Sequence, residues 1–232
     1  MSINNNSVCK ITHLYKKYDT KILFSDFSLD IFKGDRVGII GKNGAGKTTL
    51  LNMIIGKTPQ DKGTIVFNNK FINDKLLDIG YISQQFRFPT FFKVKDIYKL
   101  ILDDLKLNNR YIKYYFYEIT SVLDIETLLN KKYSKLSAGE KQKVNLFSIL
   151  SYNSKLLLLD EFTSNIDIET NQKIRKFLNN NSITMLVVSH NVRDIVEICN
   201  KVLFIADGKI QKILLNHEIN ESSIKTLFNE RR

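Results

Sequence analysis

Apolar positions follow two rhythms along the chain. Near the start, Ile22-Leu23-Phe24 and Phe27-Ser28-Leu29-Asp30-Ile31 alternate apolar and polar residues, and Lys33-Gly34-Asp35 marks a turn before the unbroken run Val37-Gly38-Ile39-Ile40. Alternation predicts short half-buried strands joined by turns, and the unbroken run predicts a buried strand. A glycine-rich segment follows, then a helix start over 48–55, a turn at Asp61-Lys62-Gly63 and a strand at Thr64-Ile65-Val66-Phe67. From about 96 to 132 the rhythm changes. Ile97, Leu100, Ile101 and Leu105 recur at helical spacing, and the aromatic-rich stretch 111–125 carries no strong turn signal. This predicts a helical lobe. Beyond Leu136 a helix over 137–150, a strand over 155–160, a helix over 169–178 and a strand over 183–188 alternate, which predicts an α/β core with parallel pairing. Asp207-Gly208 between two apolar segments predicts a terminal hairpin, because that dipeptide matches the twist of paired strands.

Composition narrows the class. The chain has 232 residues, 43% hydrophobic and 25% charged, with 2 prolines, so it has material for a real core and is neither disordered nor fibrous. Its apolar runs, such as 156–159 and 183–188, fall far short of the roughly 18 residues that cross a bilayer. Met1-Ser2-Ile3-Asn4-Asn5-Asn6 lacks the basic and apolar regions of a secretory signal, so residence in the cytoplasm is expected. Cys9 and Cys199 form no CxxC and read as small buried or half-buried side chains. The net charge of +11 suits an acidic partner, but the lysines are scattered along the whole chain and single out none.

Three segments carry chemistry. Gly41-Lys42-Asn43-Gly44-Ala45-Gly46-Lys47-Thr48 is a complete GxxxxGK[ST] pattern, placed after a buried strand and at a helix start. Its glycines let backbone N–H groups converge on an anion, Lys47 reaches terminal phosphates, Thr48 is suited to ligate Mg²⁺, and Thr49 is placed to meet an inner phosphate. The pattern predicts binding of a nucleoside triphosphate. Leu156-Leu157-Leu158-Leu159-Asp160-Glu161 is an apolar strand ending in two carboxylates that point to different sides. Asp160 suits Mg²⁺, and Glu161 suits polarisation of an attacking water. Leu136-Ser137-Ala138-Gly139-Glu140 opens an amphipathic helix; Ser137 with Glu140 reads as a capping box, and Ser137 with the Gly139 N–H also suits a phosphate.

With these segments in place the sequence resembles the nucleotide-binding subunits of ATP-binding cassette (ABC) transporters over nearly its whole length. Residues 136–140 approximate the LSGGQ signature, Gln84 after Gly80-Tyr81-Ile82-Ser83 looks like the Q-loop, Ser164-Asn165-Ile166-Asp167 looks like the D-loop, and His190 after Val187-Val188-Ser189 resembles the switch histidine. Tyr18 falls where the family places an aromatic residue against adenine. The resemblance implies an α/β P-loop NTPase core with a mostly parallel sheet, an N-terminal antiparallel β subdomain and an inserted helical subdomain. It implies one ABC domain over 1–232, with the helical subdomain at about 86–150. It also implies that two cassettes pair head to tail around Mg-ATP. Gln84 then senses metal and water, His190 holds the γ-phosphate and attacking water, and Asp167 communicates across the interface. The expected partners are a second copy or a related ATPase subunit and separately encoded membrane-spanning permease subunits, with no stable nucleic acid. The expected place is the cytoplasmic face of the membrane.

Transport is the leading reading. Only residues 216–232 follow the hairpin, which looks like the compact exporters of drugs or antimicrobial peptides, so export is favoured over import. The aromatics Phe88, Phe91 and Phe92 are candidates to contact the membrane partner. A soluble cassette acting on nucleic acid or ribosomes is the alternative suggested by the charge and by Arg110, Tyr111, Lys113, Tyr114, Tyr115, Phe116 and Tyr117. Relatives of that kind carry two cassettes or a long coiled coil, and neither is present. A P-loop kinase would explain 41–48 but leave Ser137, Asp167 and His190 as coincidences. The chain departs from the family pattern at Ala138, Glu140 and Phe162, which stand where glycine, glutamine and proline are usual. Glu140 favours the helix but weakens attraction for ATP across the interface. Glu140→Gln is expected to tighten ATP-dependent dimerisation, and an unchanged ATP dependence in analytical ultracentrifugation contradicts this.

Overall fold

The computed structural model describes residues 6–83, 86–106 and 109–229. The strands Ser7–Tyr18 (β1) and Lys21–Phe32 (β2) pair antiparallel, and Lys62–Phe67 (β4) adds to the other side of β1 in the order β2-β1-β4. The two short strands expected around 22–24 and 27–31 are one strand. Asp26, at φ 62°, marks an irregularity within it, and His13 at φ 49° does the same opposite. The pairing register shifts between Ile11 and Leu14, so a bulge broke the period-two pattern without ending the strand.

A second sheet runs in the order β5-β6-β7-β3-β8-β9, formed by Ile79–Ile82 (β5), Leu156–Asp160 (β6), Thr184–Val188 (β7), Arg36–Gly41 (β3), Lys201–Ala206 (β8) and Lys209–Leu215 (β9). All pairs are parallel except β8 with β9, the hairpin that Asp207-Gly208 predicted. Every residue of β6 and β7 is buried, as a strand covered on both faces requires. Side chains alternate between two cores. Val37, Ile39, Leu156, Leu158, Leu186 and Val188 face the antiparallel sheet and the helix Lys47–Ile54 (α1). Leu157, Leu159, Met185 and Val187 face the opposite side, which the remaining long helices cover.

Helix α2 (Lys75–Asp78) is a single turn, and the lobe expected from helical spacing contains Val94–Leu105 (α3) and Arg110–Val122 (α4). The aromatic run of α4 is divided by the helix period: Tyr115 and Phe116 are fully buried, whereas Tyr111, Tyr114 and Tyr117 face outward. Tyr98 stacks on Phe147 of Ala138–Leu150 (α5) at 5.7 Å between centroids, fastening the lobe to α5. Ile168–Asn180 (α6), Val192–Ile198 (α7) and Glu221–Asn229 (α8) complete the chain; α7 and α8 were not anticipated, although Asn191 and Asn220 cap their first turns. Cys9 and Cys199 are buried free thiols as expected, and burial pushes Cys9 up to about 12. Phe88 and Phe92 pack against the lobe's core, leaving Phe91 73% exposed.

Buried polar bonds also hold the lobe. Tyr133 donates its hydroxyl to Asn145 Oδ1 at 2.9 Å, and Asn145 Nδ2 donates to the Phe86 carbonyl at 3.1 Å. Tyr133→Phe is expected to leave the buried Asn145 oxygen short of a donor and to cost about 1–2 kcal/mol in denaturant unfolding; an unchanged midpoint contradicts that role.

Candidate functional site

The candidate site lies where β3, β6 and β7 end, at the carboxyl edge of the parallel sheet, the place where open α/β sheets bind ligands. The glycine-rich loop leaves β3 at Gly41 and turns into α1. Gly46 caps the helix at φ 95°, a left-handed conformation, and a Cβ there would lie 2.8 Å from the Phe24 ring, so glycine meets both demands. Neither a side-chain cap nor an acid occupies the first turn of α1, which leaves its N–H groups and positive potential for an anion. Lys47 is buried, and its ammonium donates to the carbonyls of Gly41 at 2.9 Å and Lys42 at 3.1 Å.

Thr48 links the loop to β6. Its hydroxyl donates to Asp160 Oδ2 at 2.7 Å, and Asp160 is 3% exposed. Burial raises the Asp160 carboxyl above its ordinary range, against the Thr48 bond and the Lys47 charge. Glu161 follows at φ 53°, and its N–H donates to the Val188 carbonyl at 2.9 Å. Its carboxylate accepts the backbone N–H of His190, yet burial pushes it up to about 6. No hydrogen bond reaches Glu161 Oε1 among the described residues, although His190 Nε2 is 3.4 Å away. Asn43, Gly44, Gly46, Lys47, Thr48, Thr49, Asp160, Glu161, Val188 and His190 surround one cavity of about 340 Å³. A neighbouring hollow of about 410 Å³ takes in Lys21, Asn43, Gly44, Ala45 and Phe204. Tyr18 lines neither; it is half exposed, with the Lys16 ammonium 5.0 Å over its ring. Gln84 lies outside the described residues.

The serine-led helix is placed apart from this cavity. Ser137 Oγ accepts from the Glu140 N–H at 3.2 Å, and Glu140 Oε2 accepts from the Ser137 N–H at 2.8 Å, the capping box read from the spacing. Glu140 Oε1 also receives the Lys131 ammonium at 2.6 Å, which lowers the carboxyl below its ordinary range. Its charge is therefore countered locally, which spacing could not reveal. A Cβ on Gly139 would lie 2.4 Å from the Asn165 carbonyl, so glycine there permits the helix to touch the 164–167 loop; the exposed Ala138 meets no such demand. Asp167 caps α6, accepting from the Thr170 N–H and hydroxyl at 2.8 Å each, and with Lys143 at 3.1 Å these partners hold it at about 2. Phe162 is fully buried, and its carbonyl accepts from Gln142 at 2.9 Å.

Sequence reasoning missed a buried group beside the site, formed by Thr163, Arg175, Ser189 and Asp194. Asp194 and Arg175 are charged residues inside amphipathic helices, which read as solvated faces in one sequence.

The loop, the buried carboxylates and the sheet define a P-loop nucleotide-binding protein. Comparisons with known proteins agree. The family model described as ABC transporter matches residues 24–164. The methionine import ATP-binding protein MetN of Clostridium tetani is 35% identical over 204 residues, covering 83% of this chain and 64% of MetN. The chain thus spans less than two thirds of that protein's length. The lipopolysaccharide export system ATP-binding protein LptB of Haemophilus influenzae is 31% identical over 235 residues, covering 96% of this chain and 97% of LptB. A solved ATP-binding subunit of an ABC transporter superposes with a TM-score of 0.83 at 18% identity, covering 97% of this chain and 99% of the other. The chain belongs to the ABC transporter family, whose ATP-binding proteins hydrolyse ATP.

The raised Glu161 value sets a pH dependence. Because it lies above the ordinary glutamate value of 4.5, the folded form is favoured by protonation: that stability is complete below 4.5 and is lost as pH rises through about 6. Glu161→Gln is expected to be more stable than the native protein at pH 7, by about 1–2 kcal/mol in denaturant unfolding, with the gap closing by about pH 4. A gap that is constant with pH contradicts the assignment.

Proposed function

We propose that this chain is the ATP-hydrolysing subunit of an ABC transporter, working through separately encoded membrane-spanning subunits by ATP-dependent head-to-tail pairing of two cassettes. The observation that carries the reading is the separation of the two phosphate-suited elements: Ser137 and Gly139 do not line the cavity of Lys47, Thr48, Asp160 and Glu161. In the head-to-tail arrangement, a phosphate in that cavity meets the Ser137 end of α5 from the other cassette. Chain membership in the ABC family supports the same reading.

In this mechanism the loop N–H groups from Gly44 to Thr49 and the Lys47 ammonium hold the phosphates of ATP. Tyr18, which lines neither hollow, is assigned to the adenine by the family resemblance alone. The Thr48 hydroxyl and the buried Asp160 carboxylate, 2.7 Å apart, are hard oxygen donors of the kind Mg²⁺ takes, and both belong in its shell, with Gln84 as a third. Bound there, Mg²⁺ supplies positive charge to the terminal phosphate oxygens. Glu161 polarises the attacking water, which its rise to about 6 suits, since a carboxylate nearer neutrality accepts a proton more readily. His190, beside Glu161, holds the γ-phosphate and water. Asp167, fixed as the cap of α6, meets the opposing cassette.

Direction is carried by the family resemblance alone: export is the favoured reading, and relatives named for import and for export match at 35% and 31% identity. None of the described helices is long and apolar enough to cross a membrane, so attachment to the cytoplasmic face would come through the permease subunits. Phe91, exposed where Phe88 and Phe92 are packed inward, is the aromatic left to contact them.

The test is purification of tagged Glu161→Gln protein with Mg-ATP from detergent-solubilised cells, followed by mass spectrometry. A polytopic membrane protein in near-equal amount is expected, with less captured by the Phe91→Ala form. Ribosomes or nucleic acid without a membrane chain overturn the transport reading in favour of a soluble cassette.

A further inference from the structure

We infer that Asp194 is a positioning residue for ATP hydrolysis, holding the loop after Glu161 and the turn that carries His190 in one geometry. The inference rests on the proposed roles of Glu161 and His190.

Asp194 is fully buried in the first turn of α7, and each of its oxygens is engaged. Oδ2 accepts the Thr163 hydroxyl at 2.5 Å and the Ser189 hydroxyl at 2.8 Å; Oδ1 accepts Arg175 Nη1 at 3.1 Å. Thr163 follows Glu161 by two residues, and just beyond it the Ser164 N–H donates back to the Glu161 carbonyl at 3.2 Å. Ser189 immediately precedes His190, and its oxygen also accepts the Asn191 N–H at 3.0 Å, so the backbone is pinned on both sides of the histidine. One carboxylate oxygen therefore ties the segment after Glu161 to the segment before His190.

The third partner extends the tie. Arg175 is 2% exposed and reaches Asp194 and, through Nε, Glu197 at 2.7 Å. It belongs to α6, the helix that Asp167 caps two turns earlier. The helix that Asp167 caps thus also supplies the arginine that reaches the hub beside His190.

A buried ion pair is a poor source of stability compared with apolar packing of the same volume, and breaking one leaves an uncompensated charge. Its value here lies in direction. Three donors from three segments converge on one planar carboxylate, a geometry that apolar contacts, which lack directionality, do not impose. Misplacement of a reacting group by about 1 Å costs up to about 10²-fold in rate.

The test measures steady-state hydrolysis and equilibrium binding of a fluorescent ATP analogue by Asp194→Asn, Thr163→Val and Ser189→Ala. Expected are falls of about tenfold or more in kcat for Asp194→Asn and smaller falls for the other two, with KM and nucleotide affinity within about twofold of native. Thr163→Ser, which restores the hydroxyl, is expected to recover kcat. Should Asp194→Asn fail to fold, the other two variants and the rescue carry the test. Variants that hydrolyse ATP at native kcat, or lose activity only in step with lost folded protein, overturn the inference while native hydrolysis stands. Absence of hydrolysis by the native protein overturns the underlying functional reading instead.

Discussion

The hydrogen bond from the Thr48 hydroxyl, exposed to the cavity, to the buried Asp160 carboxylate, 2.7 Å long, is the contact on which the arrangement turns. It joins the start of α1 to the end of β6, two segments separated by 112 positions in sequence and by β7 within the sheet. Parallel pairing makes the contact possible, since all strands from β5 to β8 finish at the same edge. The helices and the apolar layers above and below the sheet hold that edge in place. The glycine-rich loop, the two carboxylates and His190 then occupy one rim with no need for long excursions of the chain.

Electrostatics explains why the rim is reactive. Asp160 and Glu161 are adjacent, both desolvated and both raised, with the Lys47 charge as an opposing influence. Such a site is costly to the empty protein and gains from cations and from bound phosphate that brings Mg²⁺ with it. The serine-led helix is balanced differently. Glu140 would oppose an anion at that helix start, but Lys131 pairs with it at 2.6 Å, and the charge near Ser137 is close to neutral. The group around Asp194 shows a third use of charge, in which a fully buried carboxylate is satisfied by donors from three segments and fixes their relative positions.

Much of this was legible in the sequence, for identifiable reasons. The loop 41–48, the strand-ending acids and the Asp207-Gly208 hairpin are local patterns whose residues are also the ones that act or turn, so spacing alone exposed them. The capping of α5 by Ser137 and Glu140 was readable for the same reason. Features set by distant neighbours were not. Nothing near Asp26 announces that β2 continues through it, and nothing near Glu140 announces Lys131, which belongs to the lobe's closing segment. Nothing beside Asp194 in the sequence set it apart from other polar residues. Its burial depends on Arg175, Thr163 and Ser189 arriving from three other places. The departures resolved in the same way: Ala138 stands in the open, whereas Gly139 touches the Asn165 carbonyl, and Phe162 contributes a ring to the core where a proline would contribute little.

The central claim is that one chain holds half of each ATP site. Sedimentation velocity of the Glu161→Gln protein, without nucleotide and with saturating Mg-ATP, tests it most directly. The account predicts a monomer that becomes a dimer only with Mg-ATP, and that stays monomeric when Ser137 is also replaced by arginine. A monomer at saturating Mg-ATP, or a dimer indifferent to nucleotide and to Ser137, contradicts it.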